Sequence, residues 1–165
     1  MPTGEQILGV IPSAQIKTGM FSKKTYTLVV TNTRLLFAEL TNDALKGAIE
    51  EARAAKKAAG GGFFGQWGAQ MGVALHFAER YLALDPETIL AETTGNFAIS
   101  PSEVKSIKVE RKTEHGNDDN AMDRDYLRLT IEAQGNKREF NTEGENPRVN
   151  DARALLATTF GQLVR

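Results

Sequence analysis

The stretch Tyr26-Thr27-Leu28-Val29-Val30-Thr31-Asn32-Thr33-Arg34-Leu35-Leu36-Phe37 holds two β-rich runs around a short polar turn. In the first run Tyr26, Leu28 and Val30 alternate with Thr27, Val29 and Thr31, the period-two pattern of a strand. β-Branched and aromatic side chains suit a pleated, half-buried surface. Asn32 and Thr33 are turn residues, and a second apolar run continues from Arg34 to Leu40. Two such runs split by a short turn predict an antiparallel hairpin.

Working outward, residues 5–11 read as an earlier strand closed by Pro12, and residues 12–25 as a loop or irregular hairpin containing Lys17, Lys23 and Lys24. Downstream, strand character returns at 96–100, before Pro101, and again around Val104, Ile107 and Val109. Residues 113–125 are polar and rich in Asp and Asn, which predicts a loop. From Tyr126 to Ala133 the chain alternates cleanly, with Leu127, Leu129 and Ile131 on one face, and Gly135-Asn136 turns it into a strand over 137–142. A last amphipathic helix is expected from about 147 to 164, with Asn146 as cap and Val149, Ala152, Leu156, Phe160 and Leu163 on its apolar stripe.

Residues 43–95 differ in character. Asp43 is a fitting N-cap for a helix with Leu45, Ala48, Ile49, Ala52, Ala55 and Ala59 at helical spacing, ended by Gly60-Gly61-Gly62. Phe64, Trp67, Met71, Leu75, Ala78 and Leu82 outline a second helix, weakened by Gly65, Gly68 and Gly72 at about 1 kcal/mol each relative to alanine. Asp85-Pro86 begins a short helix ending near Gly95. The expectation over 43–84 is two helices hinged at the glycines, outside the barrel proper.

The run from Tyr26 to Phe37 resembles a signature of bacterial and GRAM-type pleckstrin-homology-like (PH-like) domains, in which a strand ends in Thr-Asn and an Arg-Leu pair opens the next. Residues 96–107 are similar to a later part of such domains, and the final helix stands in the expected place. The resemblance spans about 5–40 and 96–164. It implies an α+β, mainly β chain: a PH-like open antiparallel barrel with a C-terminal capping helix, a single domain over 1–165, and an inserted helical hairpin within 43–95. It also implies binding rather than catalysis. PH domains often hold phosphoinositides through basic residues of the first interstrand loop. Lys17, Lys23 and Lys24 occupy that loop here, whereas Thr25 stands where the pattern wants an arginine. Phe160 takes the packing role of the tryptophan common in the last helix of eukaryotic members.

Composition narrows the function classes. The chain has 165 residues, 41% hydrophobic and 25% charged, and no cysteine, which removes disulfides, thiolate metal sites and cysteine nucleophiles. A formal charge of −1 gives no global field for nucleic acid or anionic lipid, so either partner needs a local basic patch. Met1-Pro2-Thr3-Gly4-Glu5 has neither the basic nor the apolar region of a secretory signal, and the expected location is cytoplasmic. His76 and His115 have no partners at zinc-site spacing, and the acidic loop around His115 lacks the glycine and terminal glutamate of a calcium-binding loop. No nucleophile is paired with a base, so no enzyme, metal or cofactor is expected.

Two surfaces remain. Phe63, Phe64, Trp67 and Met71 are candidate contact residues for a protein partner or a second copy, and a homo-oligomer is the leading expectation. The alternative is a peripheral membrane module using Met20 and Phe21 at a loop tip beside Lys17, Lys23 and Lys24, or Phe63, Phe64 and Trp67 as an interfacial anchor.

Overall fold

A computed structural model of the chain describes residues 4–41, 43, 46, 50, 78–116, 119, 122–145 and 147–165. Most of the two helices expected over 43–84, with Phe63, Phe64, Trp67, Met71 and His76, lies outside the described residues, as does Asn146.

Seven strands form one antiparallel sheet in the order β4-β3-β2-β1-β7-β6-β5. They are β1 (Ile7–Lys17), β2 (Lys23–Thr31), β3 (Leu35–Glu39), β4 (Phe97–Ile99), β5 (Val104–Glu114), β6 (Arg124–Ala133) and β7 (Asn136–Thr142). Helix α1 spans Pro86–Glu92 and helix α2 spans Val149–Phe160. The chain is thus mainly β, a curled half-barrel with helices against it. Curling lets the inner faces of both sheet halves meet in one core, in which Leu28, Phe37, Ile107, Leu129 and Phe140 are buried.

Helix α2 contributes Ala152, Leu156 and Phe160 to that core, one side chain every fourth residue, which is what its sequence stripe requires. It lies close over β1: a Cβ on Gly9 would come within 2.9 Å of the Leu155 methyl carbons. Thr159 donates its hydroxyl to the Thr31 carbonyl, and the Arg153 guanidinium donates twice to the Val109 carbonyl, at 3.1 and 2.7 Å. These bonds seat α2 at the end of the sheet where β2 stops and β3 starts. The helix is shorter than expected. It begins at Val149, with Arg148 at the cap position, and ends at Gly161, whose φ of +55° breaks the helical path. The last residues then join the edge of β5, Arg165 exchanging two backbone hydrogen bonds with Ile107 and Val109 at 2.8 and 2.9 Å.

Two strand boundaries correct the sequence reading. Pro12 does not close β1. Register shifts between Ile11, opposite Leu28, and Ala14, opposite Tyr26, and Ser13 has a φ of 57°. The bulge takes proline, which has no N–H, out of the hydrogen-bonded ladder, so the strand continues to Lys17. The expected loop over 113–125 is shorter, because β5 reaches Glu114 and β6 starts at Arg124.

Residues 78–92 do more than stand outside the barrel. Ala78, Tyr81 and Ile89 are fully buried, and Tyr81 and Ile89 form a second core with Val29, Leu36 and Ala38 on the outer face of β2 and β3. This explains why residues 26–31 are all buried: even-numbered side chains fill the inner core, while Val29 faces the outer one. Asp85 caps α1 by accepting from the Glu87 and Thr88 N–H groups at 3.1 and 3.3 Å, as its place before Pro86 suggests. Asp85→Ala is expected to lower stability by about 1 kcal/mol, read as a shifted urea midpoint with unchanged slope.

Candidate functional site

The β1–β2 hairpin ends in a five-residue tip. Its last strand pairs are Ile16 with Lys24 and Lys17 with Lys23. The Thr18 N–H then donates to the Ser22 carbonyl at 3.0 Å, and the two hydroxyls lie 3.0 Å apart. Between these anchors Met20 is 88% exposed and Phe21 96% exposed. Lys17, Lys23 and Lys24 are exposed, and no acidic residue occurs from 17 to 24. Placing Lys17 directly opposite Lys23 is unfavourable, since like charges across a ladder repel. The tip therefore combines two features that folding does not ask for, an uncovered apolar pair and a cationic flank with no ion-pair partner among the described residues.

The same end of the sheet, opposite α2, is the mouth of the half-barrel as the described residues outline it. Register brings Tyr26 beside Glu39, and Phe37 beside Phe97. Strand alternation then puts Ile16, Lys24, Tyr26, Glu39, Phe97 and Arg138 on the inner face at this end. Tyr26 meets Phe37, Phe97 and Phe140 edge-on at 6.2, 5.9 and 6.2 Å, and Phe37 stacks on Phe97 at 4.4 Å. The Arg138 guanidinium carbon lies 5.4 Å from the Phe97 ring centre. Burial pushes the Tyr26 hydroxyl above its usual pKa; the Glu39 charge adds to this and the Arg138 charge opposes it.

At the other end, the Thr-Asn-Thr-Arg signature is a clasp. The Thr31 hydroxyl accepts from the Thr33 and Arg34 N–H groups at 3.2 and 3.0 Å, shaping the turn. Asn32 pins the N-terminal segment: its Oδ1 accepts from the Gln6 N–H at 2.8 Å and its Nδ2 donates to the Gly4 carbonyl at 3.0 Å. Arg34 forms a two-pronged pair with Glu5, at 2.9 and 3.0 Å, and reaches Glu87 of α1 at 2.5 Å. Burial pushes the Glu5 carboxyl up, but hydrogen bonds from Arg34, Thr31 and Thr33 together outweigh it, and the group sits below the usual carboxylate range. The signature is therefore structural, tying the chain start, the hairpin turn and α1 together. Sequence reasoning missed Glu5 and Glu87, which lie 29 and 53 residues from Arg34.

Other candidates stay apart. His115 faces Asp123 at 3.2 Å, both largely exposed, and among the described residues no three metal-ligating side chains gather. Glu110 lies between Lys108 and Lys112, and Glu132 pairs with Lys105, all as strand-surface ion pairs. Among the described residues no helix is long and apolar enough to cross a membrane.

No protein-family model matches the chain, and no curated protein matches it in sequence. Among solved structures it is similar to the C-terminal domain of an unknown protein from Leishmania infantum, at 12% identity and a TM-score of 0.43, over 95% of this chain and 85% of that one.

Proposed function

We propose that this chain is a non-enzymatic, PH-like binding module that docks on anionic membrane surfaces through the tip of its β1–β2 hairpin. The observation that carries the reading is the adjacent exposure of Met20 and Phe21 between Lys17, Lys23 and Lys24. An antiparallel half-barrel with one end plugged by α2 supports the PH-like part. The non-enzymatic part rests on a sequence that pairs no nucleophile with a base.

The magnitudes fit a reversible contact. Burying Phe21 and Met20 in the interfacial region contributes about 1.5–3 kcal/mol each. Each lysine near an anionic leaflet adds about 1 kcal/mol. Their sum, about 6–9 kcal/mol with both side chains fully buried, reaches or exceeds the binding of one acyl anchor and stays within reversible contact. In vesicle flotation, the protein is expected to float with phosphatidylserine-containing vesicles and to stay down with neutral phosphatidylcholine. Met20→Ser with Phe21→Ser should weaken flotation by about tenfold or more and leave the urea midpoint unchanged, because neither side chain supports the core. High salt should weaken it through the lysines. Equal flotation of wild type and variant, or none by the wild type, refutes the reading.

The second reading, self-association through Phe63, Phe64, Trp67 and Met71, rests on their clustering in a glycine-rich stretch. Light scattering on the same samples separates the two. An oligomer lost in Phe64→Ser with Trp67→Ser, with flotation unchanged, favours self-association.

A further inference from the structure

Arg138 stands two residues from Phe140 on the inner face of β7, at the mouth of the half-barrel. Its Nη1 is buried and has no hydrogen-bond partner among the described residues. A guanidinium carries five N–H donors and is always charged. A buried donor left unpaired, above all a charged one, is among the least favourable features of a fold. The Phe97 ring beside it attracts the cation but offers no lone pair in the plane of the guanidinium. Glu39 shares the mouth, yet its carboxylate is turned over Gly95, where an added Cβ would meet its Oε2 at 2.0 Å, and no ion pair joins it to Arg138 among the described residues. The arrangement is that of a cation held beside a ring, with its buried Nη1 given no acceptor among the described residues.

We propose that the barrel mouth binds a small organic carboxylate on the Arg138 guanidinium, beside Phe97 and Tyr26. A carboxylate matches the planar fork of arginine with two parallel hydrogen bonds. The inner face of the mouth holds two cations, Lys24 and Arg138, against one carboxylate, Glu39. One negative charge balances that set, whereas a phosphate dianion exceeds it and faces Glu39 at short range. The rings of Tyr26 and Phe97 offer the carbon part of such an acid an apolar wall. This inference shares Lys24 with the membrane reading but rests on Arg138, which the hairpin tip does not include.

The test is a titration of the full chain, with arginine side chains labelled by nitrogen-15, using sodium acetate and sodium benzoate. Sodium chloride and inorganic phosphate at matched ionic strength are the controls. The Arg138 Nε–H signal is expected to move saturably with both carboxylates, half-saturating at about 1 mM, a normal strength for one charge-assisted contact. Arg138→Lys keeps the charge but loses the fork, and should weaken binding by about tenfold. The wild-type titration stands even if that variant folds poorly. An Arg138 signal that neither carboxylate moves overturns the proposal, as does one that chloride moves equally. Tighter binding of phosphate than of acetate overturns the choice of carboxylate.

Discussion

Phe37→Ala is expected to lower the free energy of unfolding by about 3–5 kcal/mol, the range for removing a fully buried phenylalanine. Phe37 has no exposed surface and is the hub of the inner aromatic cluster, stacked on Phe97 at 4.4 Å and within 6.2 Å of Tyr26 and 5.5 Å of Phe140. Its neighbours come from β2, β4 and β7, so no single strand can shift to fill the void. The loss should therefore include a cavity contribution beyond the transfer of the ring. Urea denaturation with the slope held near the wild-type value measures it. The contrast is Phe21→Ala, the same chemical change at a site 96% exposed, which should leave the midpoint in place. Equal effects at both positions would contradict the core described above.

Arg34→Met is expected to cost about 2–4 kcal/mol near neutral pH. The charge on Glu5, whose side chain is only 8% exposed, would keep just the hydroxyls of Thr31 and Thr33, and an unpaired buried charge is strongly unfavourable. Arg34 itself is 24% exposed, so water reduces the effect from its upper range. Replacing Glu5 by Leu in the same chain should restore part of the loss, since removing both charges is milder than removing one. Acid gives a second reading. Glu5 titrates lower in the folded chain than an ordinary glutamate does. Its contribution is thus present above the unfolded pKa and disappears as pH falls through the folded one. Wild-type stability should fall as the pH drops below about 4.5 and on through the lower folded-state pKa of Glu5. In Arg34→Met the burial of Glu5 acts without its counterweight, and protonation relieves the charge, so the acid slope should be shallower. Parallel acid slopes in the two chains would remove Glu5 from this role.

The hairpin from Tyr26 to Phe37 is legible in the sequence because local alternation and a short polar turn suffice to define it. The stripe of α2 is legible for the same reason, at the helical period. What cannot be read depends on partners far along the chain. Residues 26–31 are buried on both faces, yet nothing local says that Tyr81 and Ile89 cover the second one. Pro12 reads as a terminator because the sequence does not reveal a bulge that excuses it from the ladder. Arg34 stands out as part of a signature, but its acidic partners come from the chain start and from α1. Met20 and Phe21 are visible as an apolar pair beside lysines, and their uncovered state is a property of the folded tip. Arg138 gives no signal at all, since a lone arginine in a polar strand reads as surface.

The cover on the outer face of β2 and β3 has a consequence for synthesis. Val29, Leu36 and Ala38 emerge early, and the residues that bury them lie at 78–92. Translation proceeds at about 5–20 residues per second, so the fifty-odd residues between Glu39 and Glu92 take roughly 3–10 s to appear. Hairpins form in microseconds, so the β1–β3 meander can assemble long before its lid exists. For that interval its outward apolar face resembles an exposed sheet surface, the kind that sticks to neighbouring chains. The segment that returns as α1 thus shields the outer face first, while the inner face waits for β5–β7 and α2, and the Arg34–Glu87 contact ties α1 to the hairpin turn.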